Sequence, residues 1–207
     1  KTNNVKDMSQ MFQYCRKITS LDVSNFETEL VEDMSHMFEY TNVTYLDLTK
    51  FDTKNVENMC NMFSYSPVTS LDLSKFDTSF VTDMTYMFQN CEKMTELKVN
   101  FNVKEVKDMS YMFISCLLLT SLDLSSFETV KVTRFNSMFS YCSSLQYLNI
   151  NKFKTNLATS MEDMFLHCTE LTSLDLSSFD TSLVTDMSQM FKDCENLQIL
   201  KLSTNFV

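Results

Sequence analysis

The chain contains no glycine, one proline (Pro67), one alanine (Ala158) and two arginines (Arg16 and Arg134). Glycine, proline, alanine and arginine have GC-rich codons. Their joint scarcity therefore indicates an AT-rich genome, and it is a coding bias rather than a physical requirement of the fold.

Basic residues and long apolar runs are also scarce. The chain has 17 basic residues against 27 acidic ones, for a net charge of −10. Nucleic-acid binding requires a clustered basic face, so we expect no nucleic-acid partner. An acidic surface also argues against docking on anionic lipid. The longest apolar cluster, residues 114–119, is far shorter than the roughly 20 residues of a membrane span, so we expect no direct membrane insertion of this segment.

What the sequence does have is a repeat. The motif V-x-D-M-S-x-M-F-x-x-C-x-x-L-T-S-L-D-L-S-x-F-x-T recurs eight times with a step of 25 or 26 residues. A fixed period of this length is typical of a solenoid, in which each unit buries its apolar face only against its neighbours. We predict a single repeat domain over residues 1–207. Its repeats start near residues 5, 31, 56, 81, 106, 132, 158 and 184.

The two halves of each repeat have different apolar periods. The first half, V-x-D-M-S-x-M-F-x-x-C, has the one-sided apolar stripe of a short amphipathic helix. The second half, L-T-S-L-D-L-S, alternates like a strand with one buried face. The sequence therefore predicts an α/β fold, a right-handed leucine-rich-repeat solenoid of eight repeats, each with one short parallel strand and one short helix. The aspartates expected to cap these helices are Asp7, Asp33, Asp83, Asp108 and Asp186.

Large apolar residues recur in columns that form the expected core. One phenylalanine column runs from Phe12 to Phe191, and methionines occupy two further positions. Cysteines share another position in all repeats except two and three, where Thr41 and Ser66 replace them. A linear column does not supply the tetrahedral ligands of a zinc site, so we expect reduced core thiols and no metal site.

The chain has two histidines, His36 and His167. They lie five repeats apart, about 25 Å at the spacing of neighbouring strands, and cannot act in one site. We therefore expect no enzyme that depends on histidine catalysis, and nothing in the sequence indicates a cofactor.

The strand half resembles a leucine-rich repeat at L-x-x-L-x-L-x-x-F, as in Leu119, Leu122, Leu124 and Phe127, with Phe where the usual pattern has Asn. The whole unit, including V-T-D-M-S-Q-M-F at 184–191, is similar to the BspA-like surface repeat that abounds in mycoplasma lipoproteins. The resemblance covers essentially the full chain. It implies a cell-surface, extracellular location, with the anchor in sequence outside this fragment, and adhesion to host cells or matrix. That family has no catalytic residues to transfer.

The exposed face of the predicted strands carries the most polar column. Stacked carboxylates about 5 Å apart repel one another, so some compensation is expected. Three interpretations remain open. Each aspartate is solvated or bonded to flanking Ser and Thr, or the row belongs to a ligand-binding face, or Asp22, Asp47 and Asp72 bind a divalent cation. The column consists of Asp22, Asp47, Asp72, Lys98, Asp123, Asn149, Asp175 and Lys201.

The column beside it carries tyrosine at two positions, Tyr45 and Tyr147. Tyrosine is favoured at recognition surfaces, and the alternative is drift at an exposed position. The two lie four repeats apart, about 19 Å, which suits a protein or an extended glycan better than a small molecule. A second patch, Tyr14, Tyr40 and Tyr65, is expected to pack at the helix ends.

We therefore predict a non-enzymatic cell-surface binding module of the adhesin type, whose exposed sheet face contacts a host-cell protein, a matrix protein or a glycan. The alternative is a structural array that self-associates through its repeat ends without a specific external ligand. The predicted ligand-binding face consists of Tyr45, Asp47, Asp72, Glu96, Lys98, Asp123, Tyr147, Asn149 and Asp175.

Overall fold

The structure, a computed structural model, describes all 207 residues and contains six short strands. They are β1 (Ser70–Leu73), β2 (Glu96–Val99), β3 (Ser121–Asp123), β4 (Tyr147–Asn149), β5 (Ser173–Leu176) and β6 (Ile199–Leu202). The strands pair in parallel as three two-stranded sheets, β1 with β2, β3 with β4 and β5 with β6. Pairing joins equivalent positions of successive repeats, as in Leu71 opposite Leu97. The prediction of a strand in every repeat is therefore wrong for repeats one and two.

The predicted helices are absent, which is the main correction to the α/β prediction. In the first half of each repeat the chain makes consecutive turns. In repeat five the N–H of Met112 donates to the carbonyl of Met109 at 3.4 Å, and the N–H of Cys116 to that of Phe113 at 3.2 Å. These bonds span three residues, as in a β-turn, rather than the four of an α-helix. No helix capable of crossing a membrane is present.

The intervening amides explain why no helix forms. The N–H of Tyr111 donates to the carbonyl of Asn136 in the next repeat at 2.9 Å, and that of Phe113 to Met138 at 3.0 Å. The rings of Phe88 and Phe113 are 5.3 Å apart. An α-helix is about 10–12 Å wide with its side chains, so neighbouring repeats are too close to hold one each. An apolar residue at every third or fourth position fits consecutive turns as well as a helix.

The aspartates predicted to cap helices stabilise turns instead. Asp108 Oδ1 accepts a hydrogen bond from the N–H of Ser110 at 2.9 Å, and Asp33 Oδ1 accepts one from Ser35 at 2.7 Å. This bond to the residue two positions on is an Asx turn, and it fixes the backbone where the chain enters the turns. The same bond occurs at Asp7, Asp83 and Asp186.

Two residues in every repeat have a left-handed backbone, with φ between 52° and 63°, although none is glycine. For an L-residue this conformation costs about 1–2 kcal/mol. Bonds between repeats hold it in place, since the N–H groups of Tyr111 and Ser115 both donate to the next repeat, at 2.9 and 2.8 Å. The first left-handed positions are Gln10, His36, Asn61, Tyr86, Tyr111, Ser137, Asp163 and Gln189, and the second are Tyr14, Tyr40, Tyr65, Asn90, Ser115, Tyr141, His167 and Asp193.

We call the half of each repeat that contains these turns the turn side, and the other half the strand side. The turn side is continuous along the solenoid, because single parallel bridges join every repeat to the next. The bridged residues are Asp7, Asp33, Asn58, Asp83, Asp108, Arg134, Ser160 and Asp186. They occupy one repeat position, so the eight repeats stack in step.

One hydrophobic cluster of 55 buried residues forms the core. From Phe38 to Phe165, successive phenylalanine rings of one column stack with centroids 5.3–5.7 Å apart. All seven cysteines are unpaired with one another. The thiol of Cys116 donates to the carbonyl of Phe88 at 3.3 Å, and equivalent bonds recur along the column. Ser66, which replaces cysteine in repeat three, has a buried Oγ without any partner.

Candidate functional site

The residues of the predicted ligand-binding face lie at outward positions on the strand side. Burial alternates along β1, β3 and β5, with Leu71, Leu122 and Leu174 directed into the core. Tyr45 and Tyr147 expose 68% and 54% of their surface. Asn149 is half-buried, and the exposed members are Asp47, Asp72, Glu96, Lys98, Asp123 and Asp175.

Strand pairing separates several like charges of the aspartate column. Lys201 Nζ lies 3.0 Å from Asp175 Oδ2 in the neighbouring strand. Lys98 Nζ lies 2.9 Å from Glu96 Oε1 on its own strand. A cation or an amide opposite an aspartate removes the repulsion that a continuous carboxylate row would carry. The pairs in register are Asp72 with Lys98, Asp123 with Asn149, and Asp175 with Lys201.

Each aspartate of this column also bonds to the turn that follows it. Asp47 Oδ1 accepts hydrogen bonds from the N–H and the hydroxyl of Thr49, at 3.0 and 2.6 Å. These bonds stabilise the ionised carboxylate and hold the pKa of Asp47 below its ordinary value. One oxygen of each carboxylate is thus engaged with the backbone, which leaves the second for other partners. The equivalent backbone bond occurs at Asp22, Asp72, Asp123 and Asp175.

The aspartates do not assemble a metal site on this face. Asp22, Asp47 and Asp72 occupy consecutive repeats, and each bonds to its own turn. No group of three or more His, Cys, Asp or Glu side chains in the structure is arranged to hold one ion. The cation-binding interpretation of this row therefore has no geometric support.

Three residues of the predicted face meet in one cavity. Tyr147, Asn149 and Asp175 line an open cavity of about 400 Å³, together with Gln146 and Ser173. The other members of the face are spread along the solenoid, from Tyr45 in repeat two to Asp123 in repeat five. The strand side therefore presents an extended row of exposed side chains that includes one cavity.

The turn side carries a larger cavity, of about 650 Å³, none of whose residues was predicted as part of a site. Its lining includes Asp83, Tyr86, Asp108, Tyr111 and Arg134. The rings of Tyr86 and Tyr111 stack with centroids 4.7 Å apart. The signal in the sequence is the occurrence of tyrosine in two consecutive repeats at a position that elsewhere holds Gln, His, Asn, Ser or Asp.

The second tyrosine patch forms a stack on the turn side. The rings of Tyr14, Tyr40 and Tyr65 lie 4.8 and 4.2 Å apart, at the second left-handed position. The guanidinium of Arg16 lies 5.0 Å from the centroid of the Tyr40 ring. Burial and the neighbouring Tyr65 phenol raise the pKa of Tyr40 to about 12. The expectation of packing at helix ends is wrong, because no helix is present and these rings pack on one another.

One protein family matches nearly the whole chain. The family described as "Mycoplasma protein of unknown function, DUF285" matches residues 1–67, 38–122 and 118–205. No match was found among curated proteins.

Three solved structures are similar in part. A leucine rich cell surface protein from Faecalibacterium prausnitzii A2-165 is 15% identical, with a TM-score of 0.43, over 95% of this chain and 62% of that protein. A leucine-rich repeat protein from Bacteroides ovatus ATCC 8483 is 18% identical, with a TM-score of 0.37, over 75% and 41%. The functional domain of InlJ from Listeria monocytogenes, described as including a cysteine ladder, is 19% identical, with a TM-score of 0.30, over 79% and 38%. The chain thus spans 62% or less of the length of each.

Proposed function

The chain belongs to the DUF285 family of Mycoplasma proteins of unknown function, and we propose that its repeats form a non-enzymatic binding module of the adhesin type. Family membership confirms the resemblance to BspA-like leucine-rich repeats. The proposed location is the cell surface, with the anchor outside residues 1–207. The proposed partner is a host-cell protein, a matrix protein or a glycan that contacts the strand side.

The observation that carries this proposal is the contrast between inward and outward positions of the same strands. Inward positions keep leucine, as in Leu122 opposite Leu148. The outward position beside them changes from Ser121 to Tyr147. A fixed core under variable exposed side chains lets a protein alter its contacts without altering its fold, which is typical of recognition surfaces.

The nucleophilic side chains support a non-enzymatic role. Burial raises the pKa of the Cys91 thiol to about 12, which disfavours the reactive thiolate. His36 pairs with Glu39 at 2.8 Å and His167 with Asp193 at 3.1 Å, in different repeats. These pairs do not join a nucleophile to a base in a shared cavity.

Binding of residues 1–207 to host cells and immobilised matrix proteins tests the proposal. The comparison is a variant with Tyr45→Ser, Glu96→Ser, Lys98→Asp and Tyr147→Ser, in which each new residue already occurs at that position in other repeats. We expect the variant to fold and to bind at least tenfold more weakly. Tyr65→Asn on the turn side is the matched control, because Asn90 occupies that position in repeat four.

Two outcomes would contradict the proposal. Equal binding by the wild type and the four-residue variant would exclude the strand side as the contact surface. Concentration-dependent assembly of the chain, with no binding to any cell or matrix protein, would favour a self-associating array instead. Sedimentation velocity measures that assembly directly.

A further inference from the structure

Two tyrosines in the turn-side cavity adopt a backbone conformation that bulky residues seldom adopt. Tyr86 and Tyr111 have φ of 60° and 63°, and their rings are parallel to within 2°. Ser137 follows them at the first left-handed position and carries no ring. The face of Tyr111 toward repeat six therefore has no aromatic partner.

Arg134, in repeat six, lines the same cavity as Tyr111. Its Nε and Nη2 lie 2.8 and 2.6 Å from Asp108 Oδ2, so one edge of the guanidinium is held in place. The side chain of Arg134 is 61% exposed, whereas that of Asp108 is 21% exposed. The remaining N–H groups of the guanidinium are thus oriented donors available to a ligand.

One acceptor on the same cavity wall is available to a ligand. Asp83 Oδ1 accepts from the N–H and hydroxyl of Thr85, at 2.8 and 2.7 Å, and its Oδ2 has no partner in the structure. Asn136 donates through Nδ2 to Ser160 Oγ at 2.8 Å, but its Oδ1 is buried and unpaired. Asp83 Oδ2 therefore matches a ligand that supplies a hydroxyl donor, whereas Asn136 Oδ1, although unpaired, is closed to solvent and so to a ligand.

The chemistry of the cavity narrows the class of ligand. Its volume of about 650 Å³ falls within the roughly 300–1,000 Å³ typical of small-molecule sites. An apolar ligand would leave the polar groups of the wall unpaired. The wall carries Lys107 and Arg134 as well as the carboxylates of Asp83 and Asp108, so it lacks the net positive charge that a phosphate or sulfate would favour. A neutral sugar ring offers hydroxyls that both donate and accept, and a C–H face that can pack on Tyr111.

We propose that this cavity is a carbohydrate site for a neutral, hexose-type ring, with Arg134 as donor, Asp83 as acceptor and Tyr111 as the packing surface. The site lies on the turn side, and it does not depend on the strand-side contact surface proposed above. It would give the module a glycan contact in addition to the partner of the strand side.

Saturation-transfer NMR and calorimetric titration with neutral oligosaccharides of glucose, galactose, mannose and N-acetylhexosamines test this site. A sialylated and a sulfated oligosaccharide serve as acidic probes. The cavity variant combines Tyr111→Ser and Arg134→Ser, since Ser137 and Ser160 occupy these positions in neighbouring repeats. We expect at least one neutral sugar to bind, and the cavity variant to bind it at least tenfold more weakly with an unchanged circular dichroism spectrum.

A second variant, Asp83→Asn, follows the residue of repeat three at Asn58 and keeps the shape of the wall. We expect it to weaken sugar binding several-fold. The strand-side variant with Tyr45→Ser, Glu96→Ser, Lys98→Asp and Tyr147→Ser should bind sugar normally. The carbohydrate site is refuted if no neutral sugar binds, if only the acidic probes bind, if the cavity variants bind like the wild type, or if the strand-side variant alone loses binding.

Discussion

The turn side and the strand side join neighbouring repeats in different ways. Bridges on the turn side run without interruption from Asp7 to Asp186. Pairing on the strand side stops after β2 and again after β4. We therefore expect the turn side to set the register of the stack and the strand side to follow it. A face that does not set the register can change its exposed residues freely, which suits the contact surface proposed there.

The largest expected effect compares core residues of the two sides. Phe113 on the turn side and Leu122 in β3 are both fully or almost fully buried. Phe113→Ala should lower the free energy of unfolding by about 3–5 kcal/mol, because it opens a gap between two stacked rings. Leu122→Ala should lower the free energy of unfolding by about 2–3 kcal/mol, because β3 is paired on one edge only. Urea unfolding followed by circular dichroism measures both.

Phe80 provides the control for that pair, because it is 62% exposed. Phe80→Ala should change the unfolding free energy by less than about 0.5 kcal/mol. A larger loss for Leu122→Ala than for Phe113→Ala would mean that the strand side, and not the turn side, holds the stack together.

A smaller effect is expected at the cysteine column, where six repeats carry cysteine and repeats two and three carry Thr41 and Ser66. Cys116→Ser should destabilise the protein by about 1–3 kcal/mol, because a serine hydroxyl in place of the thiol loses the bond to the Phe88 carbonyl inside the core. Ser66→Cys should stabilise it by about 1 kcal/mol, because it removes a buried hydroxyl that has no partner. Thermal unfolding under reducing conditions compares the two variants. Destabilisation by Ser66→Cys would show that repeat three requires a hydroxyl.

The sequence could predict which side chains align in columns along the repeats, but not the conformation of the backbone between those columns. Alternation along the strands correctly directs Leu122 inward and Tyr147 outward, and a fixed period places Asp72 opposite Lys98. The turns were missed because apolar residues three and four apart face one side in helices and in consecutive β-turns alike. Left-handed residues usually show as glycine or asparagine, whereas here Tyr111 holds such a position.

The candidate sites, like the fold, could be predicted only in part from the sequence. Outward placement of Tyr147 and Asp175 follows from strand alternation, but their meeting in one cavity depends on how adjacent repeats stack. Tyr86, Tyr111 and Arg134 were missed for a different reason. Helices in neighbouring repeats would hold them roughly 10 Å apart, so their proximity follows only once the turns stack by backbone hydrogen bonds.

A matched pair of glycine substitutions separates the two sides by backbone conformation alone. Ser115 is left-handed, with φ of 59°, whereas Ser121 is extended in β3. Ser115→Gly should stabilise the protein by about 0.5–1 kcal/mol, because glycine adopts this conformation without steric cost. Ser121→Gly should destabilise it by about 0.5–1 kcal/mol, because glycine loses more entropy in a strand. If urea unfolding showed that both substitutions change the free energy of unfolding in the same direction, left-handed strain on the turn side would be ruled out.

The smallest expected effect concerns what the strand-side aspartates do. Hydrogen bonding by the side chain and backbone of Ser177, and then by Lys201, lowers the pKa of Asp175 to about 2. The ordinary value is about 3.9, so the stabilisation is present above pH 4 and is lost as the pH falls from about 4 to about 2. Because this carboxylate is half exposed, solvent screens its interactions and the gain in stability is small. Ser177→Ala should therefore raise the pKa of Asp175 more than Lys201→Ala does, as followed by carboxyl-carbon NMR against pH. A larger rise of this pKa with Lys201→Ala would show that the ion pair between repeats seven and eight stabilises the Asp175 carboxylate most. The strand side would then contribute to its own register.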